Sequence, residues 1–78
     1  MVYCDYKEHT EDIVTYLYGG ETDDITGIIE FKVDGSGFEI IKEPDKSFAS
    51  MRSLIRLFGK YKSDFSKGVF KNKISYEC

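Results

Sequence analysis

The chain carries a single histidine, His9, and only two cysteines, Cys4 and Cys78, which stand near opposite ends of its 78 residues. A zinc centre needs paired cysteine and histidine ligands at short spacing, and this arrangement has none. General-base catalysis groups a histidine with a nucleophile and an orienting acid. Glu8, Glu11 and Asp12 lie close to His9, but no nucleophile motif accompanies them, and nothing around Cys4 would activate its thiol. His9 therefore reads as an exposed loop residue, and no catalytic residue, metal ligand or cofactor is assigned. Apolar runs are short as well, far below the roughly 20 residues of a membrane-spanning helix. The opening residues, MVYCDYKEHTED, are polar and acidic rather than a secretory leader. The expected location is the cytoplasm, where a Cys4–Cys78 bridge closing nearly the whole chain is not expected.

What is present is a strong division of charge. The total is −3, yet residues 1–45 hold twelve acids against three lysines, a net of −9. Residues 46–78 hold eight lysines and arginines against two acids, a net of +6. Such asymmetry points to association with a charged partner rather than to a fold. A chain of this length forms one domain and buries only roughly 60% of its unfolded surface, which leaves room for a dimer.

The expected fold class is α+β: a three- or four-stranded antiparallel meander with one amphipathic helix on one face. Strands are predicted near 2–7, 13–18, 25–33 and 38–43. In 25–33, Ile25, Ile29, Phe31 and Val33 share one face and Glu30 and Lys32 the other, with Ile28 the exception on the polar side. Asp34-Gly35-Ser36-Gly37 marks a hairpin, because glycine adopts the positive φ such turns need. Pro44 ends the return strand. The period then changes, and Phe48, Met51, Leu54, Ile55 and Phe58 predict a helix near 46–58, or longer through Tyr61 and Phe65. Asp45 or Ser47 is its expected N-cap and Gly59 its expected C-cap. Residues 66–78 predict a last strand around Val69–Phe70 or Ile74–Tyr76, or an ordered tail.

Two stretches look like ligand loops. 19-GGETDDITG-27 has glycines and carboxylates, but Glu21, Asp23 and Asp24 lack the alternate spacing of a calcium loop, and a strand follows where a phosphate loop would open a helix. Gly35-Ser36-Gly37 lacks the strand–turn–helix setting of a dinucleotide fingerprint. Both read as turns. The acids crowding them, Glu21, Asp23, Asp24 and Asp34, are the expected partner-binding surface, meeting Lys and Arg of another protein. A small protein with spaced carboxylates can also occupy a nucleic-acid-binding groove by imitating phosphates. The alternative is nucleic-acid binding through Arg52, Arg56, Lys60, Lys62 and Lys67, interleaved with aromatics in the manner of single-strand binders.

The run YLYGG…GIIEFKVDGSGFEIIKE, followed by a helix, resembles short uncharacterised proteins of Gram-positive bacteria and their phages. That resemblance spans about 13–58 and implies no activity. The piece 24-DITGIIEFKVDGSGFEII-41, with Phe48, Leu54 and Phe58 after it, is similar in pattern to small acidic anti-CRISPR proteins that act as DNA mimics. It implies an inhibitor of a nucleic-acid-binding protein. The basic C-terminal half departs from that type. The expectation is a non-enzymatic binding protein.

Overall fold

The computed structural model describes residues 1–77, so a pairing of Cys4 with Cys78 lies outside the described residues. Five strands and one helix follow in the order β1 (Val2–His9), β2 (Ile13–Gly19), β3 (Gly27–Lys32), β4 (Phe38–Lys42), α1 (Met51–Ser66) and β5 (Lys73–Tyr76). The sheet is antiparallel throughout, with spatial order β4-β3-β2-β1-β5. The first four strands form the expected meander, and the tail adds the fifth. After β4 the chain leaves one edge of the sheet, crosses a face as α1, and returns at the opposite edge as β5. The fold is α+β.

Local chemistry explains the turns. At the β1–β2 turn the Thr10 hydroxyl accepts the amides of Asp12 and Ile13, while the Thr10 amide donates to the Ile13 carbonyl. At the β3–β4 turn Gly35 takes φ +83°, and Asp34 accepts the Ser36 amide at 2.8 Å. The Ser36 hydroxyl first, and then that amide, hold the Asp34 carboxyl below its ordinary range.

Alternation along the strands sends Val2, Cys4, Val14, Tyr16, Tyr18, Ile29 and Phe31 to the helix side, where they are buried with Ile74. The helix answers with Leu54, Leu57, Phe58 and Phe65. Phe31 is the hub. Its ring stacks on Phe58 at 5.7 Å between centroids and meets Phe65 at 5.3 Å and Tyr16 at 5.9 Å. The buried Tyr16 hydroxyl donates to the Lys71 carbonyl at 2.7 Å, so the ring is buried without stranding a polar atom.

The helix differs from expectation at both ends and in its rotation. It begins at Met51, and Ser50 is the N-cap in place of Asp45 or Ser47, its side chain accepting the Ser53 amide. Gly59 lies inside the helix. The chain runs on to Ser66 and stops at Gly68, φ +76°, with Gly68 N–H bonded to Phe65 and Val69 N–H to Asp64. Those two bonds make a Schellman motif, which satisfies carbonyls that the helix end leaves free. The buried stripe is Leu54, Leu57, Phe58 and Phe65, with Tyr61 packed at its margin. Phe48, Met51 and Ile55, assigned to the core by spacing, are exposed at 80%, 54% and 56%. Ile25 likewise precedes β3 instead of sharing its buried face.

Two glycines test this packing in opposite directions. A Cβ on Gly20 would stand 2.1 Å from the Phe48 carbonyl oxygen, whereas one on Gly59 would meet nothing within 4 Å. Gly20→Ala is expected to destabilise by at least about 2 kcal/mol, because backbone must move. Gly59→Ala is expected to stabilise by roughly 0.5–1 kcal/mol through helix propensity. Urea unfolding of the two variants measures both.

Candidate functional site

The −9 half of the sequence becomes the four-stranded meander, and the +6 half becomes α1 and β5. Since α1 covers one sheet face, the other face stays open. Its residues are read off the register. Leu17 pairs with Asp5 and Ile28, and Thr15 pairs with Glu8 and Glu30. Glu30 in turn pairs with Glu39. Glu8, Thr15, Glu30 and Glu39 therefore form one row across β1 to β4, with Asp5 one row away.

A bulge puts Glu8 there. Val2, Cys4 and Tyr6 alternate toward the helix, and simple alternation would send Glu8 after them. The register shifts between Tyr6 and Glu8, so Lys7 is the extra residue, Glu8 turns to the open face and His9 turns to the helix side. His9 there lies 4.5 Å from the Phe70 ring centroid, with its Nδ1 2.6 Å from the Tyr6 hydroxyl.

Lysines border this row: Lys73 binds Asp5 at 3.0 Å, Lys7 approaches Glu8 at 3.5 Å, and Lys32 and Lys42 share the open face through their pairing with Ile13 and Ile28. Among the described residues Glu30 and Glu39 have no ion-pair partner, although they sit directly opposite each other. Like charges opposed in this way destabilise a sheet by a few tenths to about 1 kcal/mol.

The four acids singled out from sequence do not meet. Glu21 and Asp23 lie exposed in the β2–β3 loop at one end of the sheet, beside Met1 and Tyr3. Asp34 lies at the other end, where it lines a concavity with Glu11 and Asp12. Asp24 is 5% exposed and is not available to a partner. Its Oδ2 accepts the amides of Lys46, at 2.9 Å, and Ser47, and its Oδ1 accepts the Thr26 hydroxyl at 3.0 Å. The Ser47 hydroxyl closes the junction by accepting the Gly20 amide and donating to the Asp24 carbonyl. Asp24 is thus a clamp between the β2–β3 loop and the segment that leads into α1. Hydrogen bonds from Ser47 first, then the Lys46 amide and the Thr26 hydroxyl, lower its pKa from 3.8 to about 2, against the opposing effect of burial.

The basic residues behave differently. Arg52, Arg56 and Lys60 are exposed and four apart on the outer face of α1. Lys62 is exposed but off that row, 100° of helical turn per residue placing it on the flank of Ile55. Lys67 caps the helix C-terminus. Among the described residues no group of three or more His, Cys, Asp or Glu is placed to hold a metal, and no helix is long and apolar enough to cross a membrane.

No family model, curated protein or solved structure matches the chain. Functional argument rests on these faces alone. The row on the open face was missed from sequence because neighbouring members are 7 to 15 positions apart and meet only through register and bulge; their alternation within single strands was the signal at hand.

The clamp generates a pH prediction. Because the folded pKa of Asp24 lies below its ordinary value, its contribution is fully present above pH 3.8 and is lost as pH falls toward about 2. Urea midpoints of the native chain and Asp24→Asn should differ clearly at about pH 5, with the difference cut to roughly a third at about pH 2.5. Asp23→Asn, an exposed neighbour, should leave the midpoint unchanged at both.

Proposed function

We propose that this chain is a small non-enzymatic binding protein whose row of carboxylates on the open sheet face meets a cationic surface of another protein. The observation that carries the reading is the Glu8–Thr15–Glu30–Glu39 row, above all the directly opposed and unpaired Glu30 and Glu39. A row of carboxylates at successive strands, roughly 5 Å per strand step, offers regularly spaced negative charge on a rigid base. The chemistry such a row recognises is a groove of Lys and Arg that otherwise holds phosphates, so the partner class is a nucleic-acid-binding protein. The residues assigned are Asp5, Glu8, Glu30 and Glu39; Glu21 and Asp23 contribute at the rim, and Asp24 holds the fold.

Lys73 of β5 neutralises Asp5, but neutralisation of the Glu30–Glu39 pair by the cations of α1 is a poor rival account. The molecule measures 31 × 23 × 19 Å, and the acidic face lies on the side of the sheet away from α1. Charges further apart than about 8 Å are largely screened at physiological ionic strength. The two faces therefore act as separate electrostatic surfaces. A second reading, contact of the α1 outer face with a nucleic-acid backbone, is favoured by the exposed row Arg52, Arg56 and Lys60.

An arginine-rich peptide is the probe for the acidic face. Titrated into isotopically labelled protein at low salt, it should shift the amides of Asp5, Glu8, Glu30 and Glu39 most. The double variant Glu30→Lys/Glu39→Lys should bind it at least about tenfold more weakly, while Glu21→Lys/Asp23→Lys loses less. Equal losses in the two variants, with melting temperatures intact, would defeat the assignment of the open face.

A further inference from the structure

A second site lies on the opposite side of the molecule, where the start of α1 meets β5. Ser50, Arg52, Ser53, Arg56 and Tyr76 line a concavity of about 350 Å³. Its lining is all donors and hydroxyls in a chain with fourteen acids. Four other concavities each carry a carboxylate: Glu11, Asp12 and Asp34 in one, Asp5 in another, Glu43 in a third, Glu21 and Asp23 in a fourth. The first turn of α1 also has no acidic residue.

The two arginines stand one turn apart with like charge, an arrangement that weakens a helix unless an anion is shared between them. Neither forms an ion pair among the described residues. Arg56 is steered by Tyr76, its Nη1 lying 3.4 Å from the tyrosine hydroxyl. A serine pair lines the same wall. Ser53, 8% exposed, accepts the Ser50 hydroxyl at 3.0 Å, and Ser50 accepts the Ser53 amide at 3.1 Å. Two hydroxyls that share one hydrogen bond leave one hydroxyl hydrogen with no acceptor among the described residues, at the wall of the concavity.

We propose that Arg52, Arg56, Ser53 and Tyr76 form a binding site for a phosphate group carried by a larger ligand. Arginine forks match phosphate oxygens two at a time, and the spare hydroxyl hydrogen supplies a neutral donor to the same anion. The volume exceeds that of a bare ion and is within the range of small-molecule sites. The site stands apart from the acidic-face reading, so either can fail without the other.

Titration of labelled protein with inorganic phosphate, a nucleoside monophosphate and a short single-stranded oligonucleotide tests this. Saturable shifts at Ser50–Ser53, Arg56 and Tyr76 are expected. Arg52→Gln and Arg56→Gln should each weaken binding at least about tenfold, and Arg56→Lys several-fold, since lysine keeps the charge and loses the fork. Both positions of change are exposed, so melting temperatures should hold. An oligonucleotide that binds more tightly and also moves Lys60 identifies the phosphate as part of a nucleic-acid strand; a nucleotide that binds as well as the oligonucleotide identifies a small phosphate ester. The proposal is overturned if nothing saturates below about 10 mM, or if the arginine variants bind as the native chain does.

Discussion

The carboxylate of Asp24 joins two segments more than twenty residues apart in sequence, and the placement of everything after β4 follows from that junction. It accepts the amides of Lys46 and Ser47, while the Ser47 hydroxyl is committed to Gly20 and Asp24 and the Asp45 carboxylate to Lys42, so neither side chain caps the helix. The close approach of Gly20 to Phe48 holds the same segment against the sheet end. Ser50 is then the first residue free to cap, and α1 starts at Met51. That start sets the helix rotation, which turns Leu57 inward and leaves Phe48, Met51 and Ile55 exposed.

Sequence reading succeeded where the deciding physics is local. The alternation in β3 and the Asp34-Gly35 turn need only neighbours two or three positions away, and both stand where pattern places them. It failed where distant groups decide. Spacing alone includes Phe48, Met51 and Ile55 in the apolar stripe as readily as Leu57; the clamp that chooses between them lies in another loop. Gly59 looks like a stop because glycine is common past helix ends, yet Tyr61 and Phe65 bury more surface if the helix continues, and Gly68 takes the positive φ instead. Four residues of β5 are too short to announce a strand; their pairing with the first strand of the chain makes them one.

The candidate site shows the same division. Charge asymmetry between the halves was plain in the sequence, and it maps onto sheet and helix. Which acids stand together was not, because loops crowded with acids in sequence point to opposite ends of the sheet. Asp24 illustrates the hazard: three carboxylates in four positions suggest one surface, while hydrogen-bond donors from residues 46 and 47 withdraw one of them into the fold.

The open-face row also has a bland explanation, which accounts for part of it. Edge strands are commonly guarded by charge and by bulges, and β4 has both, with Glu39 and Lys42 at its edge and a register shift opposite Ile28 and Ile29. That reasoning also reaches Glu8, because β5 pairs β1 only over Val2–Asp5 and leaves the bulged end of β1 an open edge. It stops at Glu30, which is on an interior strand flanked on both sides. Edge protection does not need that residue. In a domain of this size, whose whole stability is a few kcal/mol, opposed glutamates on interior and edge strands weigh measurably against folding. A charge layout that works against the fold at interior positions is better explained by what it presents to a partner than by what it prevents at an edge.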